Sequence, residues 1–213
     1  MKVLIINGSP HMHGCTDRAL QEVEKTLNDN GIETERINIG NKDIRGCIAC
    51  NYCREHGRCV FNDLVNETVP RLAEADGIVI GTPVYYAGAN GQLLSFLDRL
   101  FYSTSGTIEK AMKVGAAIVS SRRAGSTSAF DEINKYFTIS AMPIASSTYW
   151  NEVHGFTAED VERDLEGLQT MRNLGRNMAF MLKAFDAARE AIPQQERTSF
   201  TSFHTEGLPH IMV

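Results

Sequence analysis

The sequence predicts a doubly wound α/β domain, a parallel sheet with helices packed on both faces. Two observations lead there. Short apolar runs bounded by turn residues are separated by amphipathic helical patterns, and this alternation repeats about five times. The runs at 3–6, 77–80 and 114–119 are apolar without alternation, as expected of strands buried on both faces.

Taken in order, the first strand, 3–6, leads into a helix over 17–27 whose Ala19, Leu20, Val23 and Leu27 share one side. The turn Asn28-Asp29-Asn30-Gly31 returns the chain to a weaker, alternating strand at 33–38. A helix over 62–75, with Leu64, Val65, Val69 and Leu72 on one side, precedes the third strand at 77–80. The apolar-rich segment 92–102 is the next helix, followed by the fourth strand at 114–119, a helix over 127–137 and a fifth strand at 142–146. The longest helical pattern, 158–191, has Asp160 and Asp164 early and Lys183 and Arg189 late, as the helix dipole favours. Gly167 and Gly175 interrupt it and allow a division into two helices. One domain over 1–190 is expected. The polar tail at 191–213 is read as a loose end or as an arm that docks on a neighbouring subunit.

A chain of 213 residues, 43% hydrophobic and 22% charged, can bury one good core. The formal charge of −5 and a pI near 5.7 do not give the basic face that a nucleic-acid binder needs. The N-terminal apolar run is too short for a signal peptide, and no later stretch is long enough to span a bilayer. A cytoplasmic protein is therefore expected, with neither nucleic acid nor membrane as partner. In that compartment, five cysteines read as free thiols, metal ligands or redox groups rather than structural disulfides.

Three loops draw attention because each follows the carboxyl end of a predicted strand. The first, Gly8-Ser9-Pro10-His11-Met12-His13-Gly14-Cys15-Thr16, opens directly onto a helix. Backbone N–H groups and the dipole at a helix N-terminus make an anion site, to which Ser9 and Thr16 add hydroxyl donors. Gly8 permits close backbone approach and Pro10 stiffens the turn. There is no Gly-Lys-Ser/Thr ending, and the glycine spacing does not match the dinucleotide fingerprint, so both of those nucleotide loops are excluded. A phosphate here would be held by neutral donors. An ordinary strand-to-helix turn fits the same residues.

The second loop, Gly81-Thr82-Pro83-Val84-Tyr85-Tyr86-Ala87-Gly88-Ala89-Asn90-Gly91, is apolar and aromatic and suits a flat heteroaromatic ring. Ligands of open α/β sheets bind in the crevice outside such strand ends. Tyr85 or Tyr86 is placed to flank the ring, and the backbone from Val84 to Ala87 to meet its polar edge. Packing of the two tyrosines is the plainer reading. The third loop, Ser120-Ser121-Arg122-Arg123-Ala124-Gly125-Ser126-Thr127, brings N–H donors and two cations. They suit an anionic ring edge or the phosphate of a nicotinamide donor, and a pair of solvated arginines is the alternative.

A fourth feature stands apart. Cys47, Cys50, Cys53 and Cys59 fall within thirteen residues, separated by two, two and five residues. Such a run lets one loop deliver several thiolates to a compact centre, as iron–sulfur proteins require. Structural zinc usually draws its ligand pairs from separated segments. Redox-active thiols, or reduced cysteines that only pack, remain open as readings.

These features resemble the NADPH-dependent FMN reductase and iron–sulfur flavoprotein family. The family's first loop reads Gly-Ser-Pro and then Gly-Asn-Thr; this chain has Gly8-Ser9-Pro10 and then Gly14-Cys15-Thr16, so Cys15 replaces the asparagine, and His11 stands where many members carry a basic residue. The family's second loop, Gly-Ser/Thr-Pro-Val-Tyr, is matched from Gly81 to Tyr85, and Phe96-Leu97-Asp98-Arg99 echoes the helix that follows it. The resemblance covers roughly the first 150 residues. It implies a flavodoxin-like five-stranded sheet of order 2-1-3-4-5. It also implies FMN held by Ser9, Pro10, His11, Gly14, Cys15, Thr16, Pro83, Val84, Tyr85, Tyr86, Gly88, Ser120, Ser121, Arg122, Arg123 and Gly125, and a [4Fe–4S] cluster as one fate of the four cysteines. Cys15 reads as a small filler rather than a metal ligand. The activity implied is hydride transfer from NAD(P)H through FMN to a free flavin, a quinone or a similar small acceptor. An FMN electron carrier between protein partners is the alternative. A homodimer or homotetramer is implied, with the second loop near the subunit interface. No acid–base residue is required, since the flavin performs the chemistry.

Overall fold

The structure is a computed structural model and describes residues 1–196, 199 and 201. Its elements run β1 (Lys2–Asn7), α1 (Cys15–Asp29), β2 (Glu33–Asn38), α2 (Tyr52–His56), α3 (Leu64–Glu74), β3 (Gly77–Tyr85) and β4 (Gly88–Ala89). They continue through α4 (Gly91–Ser103), β5 (Val114–Ser121), α5 (Ser126–Ile139), β6 (Glu152–His154), α6 (Ala158–Arg163) and α7 (Leu165–Ala187). Among the described residues, no helix is long and apolar enough to cross a membrane. Most of the predicted tail at 191–213 lies outside the described residues.

The sheet order is β2-β1-β3-β5-β6, all parallel, with β4 folded back antiparallel on the end of β3. With that short hairpin set aside, the five parallel strands follow the expected flavodoxin-like order 2-1-3-4-5. Alternate residues of each strand face opposite layers. Leu4 and Ile6 of β1 and Ile78 and Ile80 of β3 meet Leu93, Phe96 and Leu100 of α4 on one face. Val3, Ile5 and Val79 meet Leu20 and Val23 of α1 and Met171, Leu174 and Met178 of α7 on the other. Both faces are therefore apolar, which is why these strands read as continuous hydrophobic runs.

Two predicted elements differ in the structure. The segment 142–146 is a bridge rather than a full strand. Gly115 donates to the Pro143 carbonyl at 2.8 Å, and the Ala145 amide donates to the Gly115 carbonyl at 2.8 Å. Proline has no N–H to extend the ladder. The chain then leaves the sheet, with Ser146, Thr148, Tyr149 and Trp150 exposed, and rejoins it as β6.

The long helical pattern does divide, but at Asp164 rather than at either glycine. The Asp164 carboxylate accepts from the Gly167 amide at 2.9 Å, capping α7, and from the His154 amide at 2.7 Å. A side chain that competes for backbone donors favours a helix start over a helix interior. Gly167 leaves room for that cap, since a Cβ there would lie 2.3 Å from the carboxylate. Gly175, inside α7, lets the helix press against α1: its Cβ would sit 2.8 Å from the Thr26 Cβ. The hairpin β4 and the short α2 are elements that the apolar pattern does not announce.

Candidate functional site

The loops after β1, β3 and β5 meet at one end of the sheet, held by contacts that the hydrophobic pattern could not reveal. Gly8 donates its amide to the Gly81 carbonyl at 2.8 Å. A Cβ at Gly8 would come within 2.9 Å of that carbonyl and 2.5 Å of Leu93, so only glycine lets the two loops lie so close. Asn90, buried at the start of α4, donates from Nδ2 to the Gly8 carbonyl at 2.7 Å and caps its own helix by accepting from Gln92 N–H at 2.9 Å. Its own amide donates to the Thr82 hydroxyl at 3.0 Å. Asn90 thus joins the first loop to the second. It was missed because a single asparagine after a loop reads simply as a helix cap.

Within the first loop, the Asn7 side chain accepts from the Ser9 amide at 3.0 Å, and the Ser9 hydroxyl accepts from the His11 amide at 3.1 Å. These two turns leave the Ser9 hydroxyl proton available to a ligand. The cap residue of α1 is Gly14, which supplies no side-chain acceptor to the first-turn amides. The anion-binding character of a helix N-terminus is therefore undiminished here. Asp17 in that first turn would oppose an anion, but Arg36 on β2 pairs with it and also with Glu24 at 2.6 Å. The Thr16 and Ser120 hydroxyls are 2.7 Å apart and buried, which ties the first loop to the third. Burial pushes the Cys15 thiol upward, and its Sγ donates to the Thr157 carbonyl at 3.2 Å. A partly buried thiol bonded to a backbone carbonyl fits the filler role.

The second loop is the β3–β4 hairpin. Tyr86 and Ala87 both have positive φ, 50° and 60°, a two-residue turn matching the twist of a hairpin. Tyr86 is fully exposed and Tyr85 half-exposed at the tip. Neither joins the core, which removes packing as the explanation for the pair. Glu132 on α5 accepts from the Ala89 amide at 2.8 Å and braces the hairpin from behind. Pro83, Val84 and Gly88 are partly buried along it.

The third loop reaches the same place. Gly125 has φ of 89°, and a Cβ there would lie 2.7 Å from the Ala87 Cα, so the third loop rests directly on the hairpin. Ser121 is buried and its hydroxyl lies 3.2 Å from His154 Nδ1. Arg122 and Arg123 are exposed. His11 is exposed too, at the rim of the first loop. A neutral-donor anion cradle beside an aromatic hairpin, with cations at the margin, fits a ribityl phosphate and a flat ring.

The cysteine run lies along α4, whose N-terminus is part of this site. Cys47, Cys50, Cys53 and Cys59 all line one open pocket, together with Phe61, Arg99 and Tyr102. The backbone turns sharply to do so. Ala49 and Asn51 take left-handed φ of 52° and 58°; asparagine tolerates this region, but for Ala49 it costs about 1–2 kcal/mol, and strain of this kind collects at functional sites. The Cys47 Sγ accepts from the Ala49 amide at 3.4 Å. Burial raises the Cys53 thiol, and the neighbouring Cys59, Cys47 and Cys50 raise it further. Among the described residues, no three His, Cys, Asp or Glu side chains close on a single metal ion. Thiols spaced around a pocket suit a multi-iron cluster better than a mononuclear site. All five cysteines are free among the described residues.

Comparisons with known proteins bear on the family and the fold. Residues 1–156 match the family model described as NADPH-dependent FMN reductase. An iron–sulfur flavoprotein of Methanocaldococcus jannaschii is 35% identical over 190 residues, covering 86% of this chain and 98% of that protein. An FMN reductase (NADPH) of Pseudomonas putida is 29% identical over 100 residues, 47% of each chain. Among solved structures, RosB with a bound 8-demethyl-8-formylriboflavin-5'-phosphate intermediate superposes with a TM-score of 0.67 at 12% identity, covering 100% of this chain and 98% of that one, which speaks to the fold alone. The chain belongs to the NADPH-dependent FMN reductase and iron–sulfur flavoprotein family, flavodoxin-like oxidoreductases with FMN as cofactor.

Proposed function

We propose that this protein is an NAD(P)H-dependent oxidoreductase that reduces a free flavin, a quinone or a similar small acceptor. The observation that carries this reading is the hairpin tip. Tyr85 and Tyr86 stand in solvent beside the anion cradle, so the place for the ring has an open face to which a second flat molecule has access. FMN, when bound, would supply the hydride and electron-transfer chemistry between nicotinamide and acceptor.

The chain's own residues bind and orient. The first-turn amides of α1, with the Ser9 hydroxyl and Thr16, hold the phosphate. Pro83, Val84 and Gly88 line the ring's edge, and Tyr85 and Tyr86 flank it. Ser120, Ser121 and Gly125 face its polar side. Arg122 and Arg123 balance negative charge on the ring or on a nicotinamide's phosphate, which their exposure allows. Cys47, Cys50, Cys53 and Cys59 hold a [4Fe–4S] cluster. Five free thiols suit a reducing, cytoplasmic setting. A homo-oligomer is part of the same reading, with the hairpin near the subunit interface.

A second reading, an electron carrier between protein partners, is favoured by the pocket that gathers four thiols. One experiment separates the two. An anaerobic absorption spectrum with iron and sulfide analysis is followed by addition of NADPH or NADH. Bleaching of flavin bands supports the reductase. Flavin that stays oxidised with both nicotinamides supports the carrier. A protein that binds no FMN refutes both.

A further inference from the structure

Arg99 is among the largest fully buried side chains of the described residues, and its only carboxylate partner there is Asp63. Its two terminal nitrogens fork onto the Asp63 carboxylate at 2.7 and 2.8 Å. They also donate to the carbonyls of Arg45 at 3.2 Å and Phe61 at 3.3 Å. The guanidinium lies over the Phe61 ring, 5.0 Å from its centroid. That leaves Nε, which points at Cys59 Sγ from 3.2 Å. A planar guanidinium held at both ends by a bidentate carboxylate cannot swing away, so its third donor direction is set by Asp63.

The sulfur is fixed just as firmly. Asn66 on α3 accepts from the Cys59 amide at 2.9 Å and donates to the Cys59 carbonyl at 2.9 Å and the Phe61 carbonyl at 3.0 Å. Among the described residues, Cys59 is the one member of the run whose sulfur receives a bond from a buried cation. The helix carrying Arg99 begins at Asn90, which clamps the first loop. Nine residues at about 1.5 Å each place the two contacts roughly 14 Å apart along one rigid axis.

We propose that Arg99, aimed by Asp63, is a positioning residue that sets the reduction potential of the centre held by the four cysteines, through an N–H···S bond to Cys59. The inference rests on the cluster reading above. Reduction adds negative charge to a thiolate-held cluster, and hydrogen bonds to its sulfurs are among the determinants of cluster potential. A charge-assisted bond from a buried guanidinium stabilises the more negative form. The effect is to raise the potential.

The test uses the full-length holoprotein, purified anaerobically and reconstituted with iron and sulfide. Redox titration followed by electron paramagnetic resonance gives the cluster midpoint. The principal variant is Arg99→Met combined with Asp63→Asn, which removes the donor to sulfur, leaves net charge unchanged and keeps a capping side chain for α3. The expected result is a midpoint lower by at least a tenfold change in the one-electron equilibrium, about 59 mV. Arg99→Lys keeps the charge without the fork and serves if the double variant does not fold; its midpoint falls as well. Arg45→Gln removes a cation stacked 4.7 Å from the same Phe61 ring without touching sulfur, and should move the midpoint less. An unchanged midpoint in a cluster-bearing variant overturns the inference and leaves the cluster reading standing. So does an equal shift in Arg45→Gln, or retention of FMN with loss of the cluster from both Arg99 variants. Wild-type protein that takes up no iron and sulfide overturns both.

Discussion

Replacing Gly125 by alanine tests whether the third loop and the hairpin form one binding surface. The residue has φ of 89°, where an added Cβ costs about 1–2 kcal/mol. The same Cβ would lie 2.7 Å from the Ala87 Cα, 3.0 Å from the Ala87 Cβ and 3.1 Å from Val84 Cγ1. The first of these atoms is backbone, so relief requires the hairpin to move, and overpacking of this kind costs about 1–3 kcal/mol. The two terms together make roughly 2 kcal/mol a floor. Because the strain falls between two loops proposed to hold FMN, much of it is expected in FMN affinity. At about 1.4 kcal/mol per tenfold, 2 kcal/mol is roughly a 30-fold weaker Kd.

The assay is titration of apoprotein with FMN, followed by quenching of flavin fluorescence, with thermal unfolding measured alongside. Gly91→Ala is the internal control. It follows the same hairpin, yet a Cβ there would meet nothing within 4 Å. Its Kd should stay within about threefold of the parent, which corresponds to well under 1 kcal/mol. If Gly125→Ala binds FMN as tightly as Gly91→Ala while remaining folded, the two loops do not act together on the ligand.

Other expectations follow from contacts away from the ring. Burial raises Glu22, but Arg172 and Arg18 outweigh it and hold the carboxyl below its ordinary range. Its folded state therefore binds protons less readily than its unfolded state; the stabilisation is present above the unfolded pKa, near 4.5, and is lost as pH falls through the lower folded value. Glu22→Gln should accordingly lose less stability than the parent between pH 7 and pH 3, read as urea midpoints. Asp63→Ala strands the buried Arg99 and should cost about 3–5 kcal/mol in urea unfolding, whereas Asp63→Asn should cost less. Gly175→Val drives a branched side chain into Thr26 on α1 and should destabilise by about 1–3 kcal/mol, with FMN stoichiometry unchanged in the folded fraction.

The strands at 3–6, 77–80 and 114–119 were legible because burial on both faces demands uninterrupted apolar residues, and that demand is written locally. The fifth strand was less so. Met142 to Ala145 has strand-like composition, but Pro143 limits the ladder, and the return at β6 depends on pairing with β5. In the long helical pattern, both glycines drew attention as breakers, yet Gly175 proved to be a packing contact and Asp164 the true boundary. Propensity sees a residue's own freedom; it does not see the neighbouring helix. The loop residues expected to face the ligand were named from the sequence, but the linking roles of Asn90, Glu132 and Asn66 were not.

The order of strands and loops, the absence of a lysine in the phosphate loop and the compact cysteine spacing were properties of the chain alone, since each depends on residues close in sequence. What only the tertiary structure decided was which distant side chains meet: Thr16 with Ser120, Asn90 with Gly8, and Arg99 with both Asp63 and Cys59. These pairs lie 36 to 104 residues apart, and a hydrogen bond needs its partners about 3 Å apart. Nothing in local composition specifies such a distance, because it is set by how the sheet stacks its strands and where α4 crosses them.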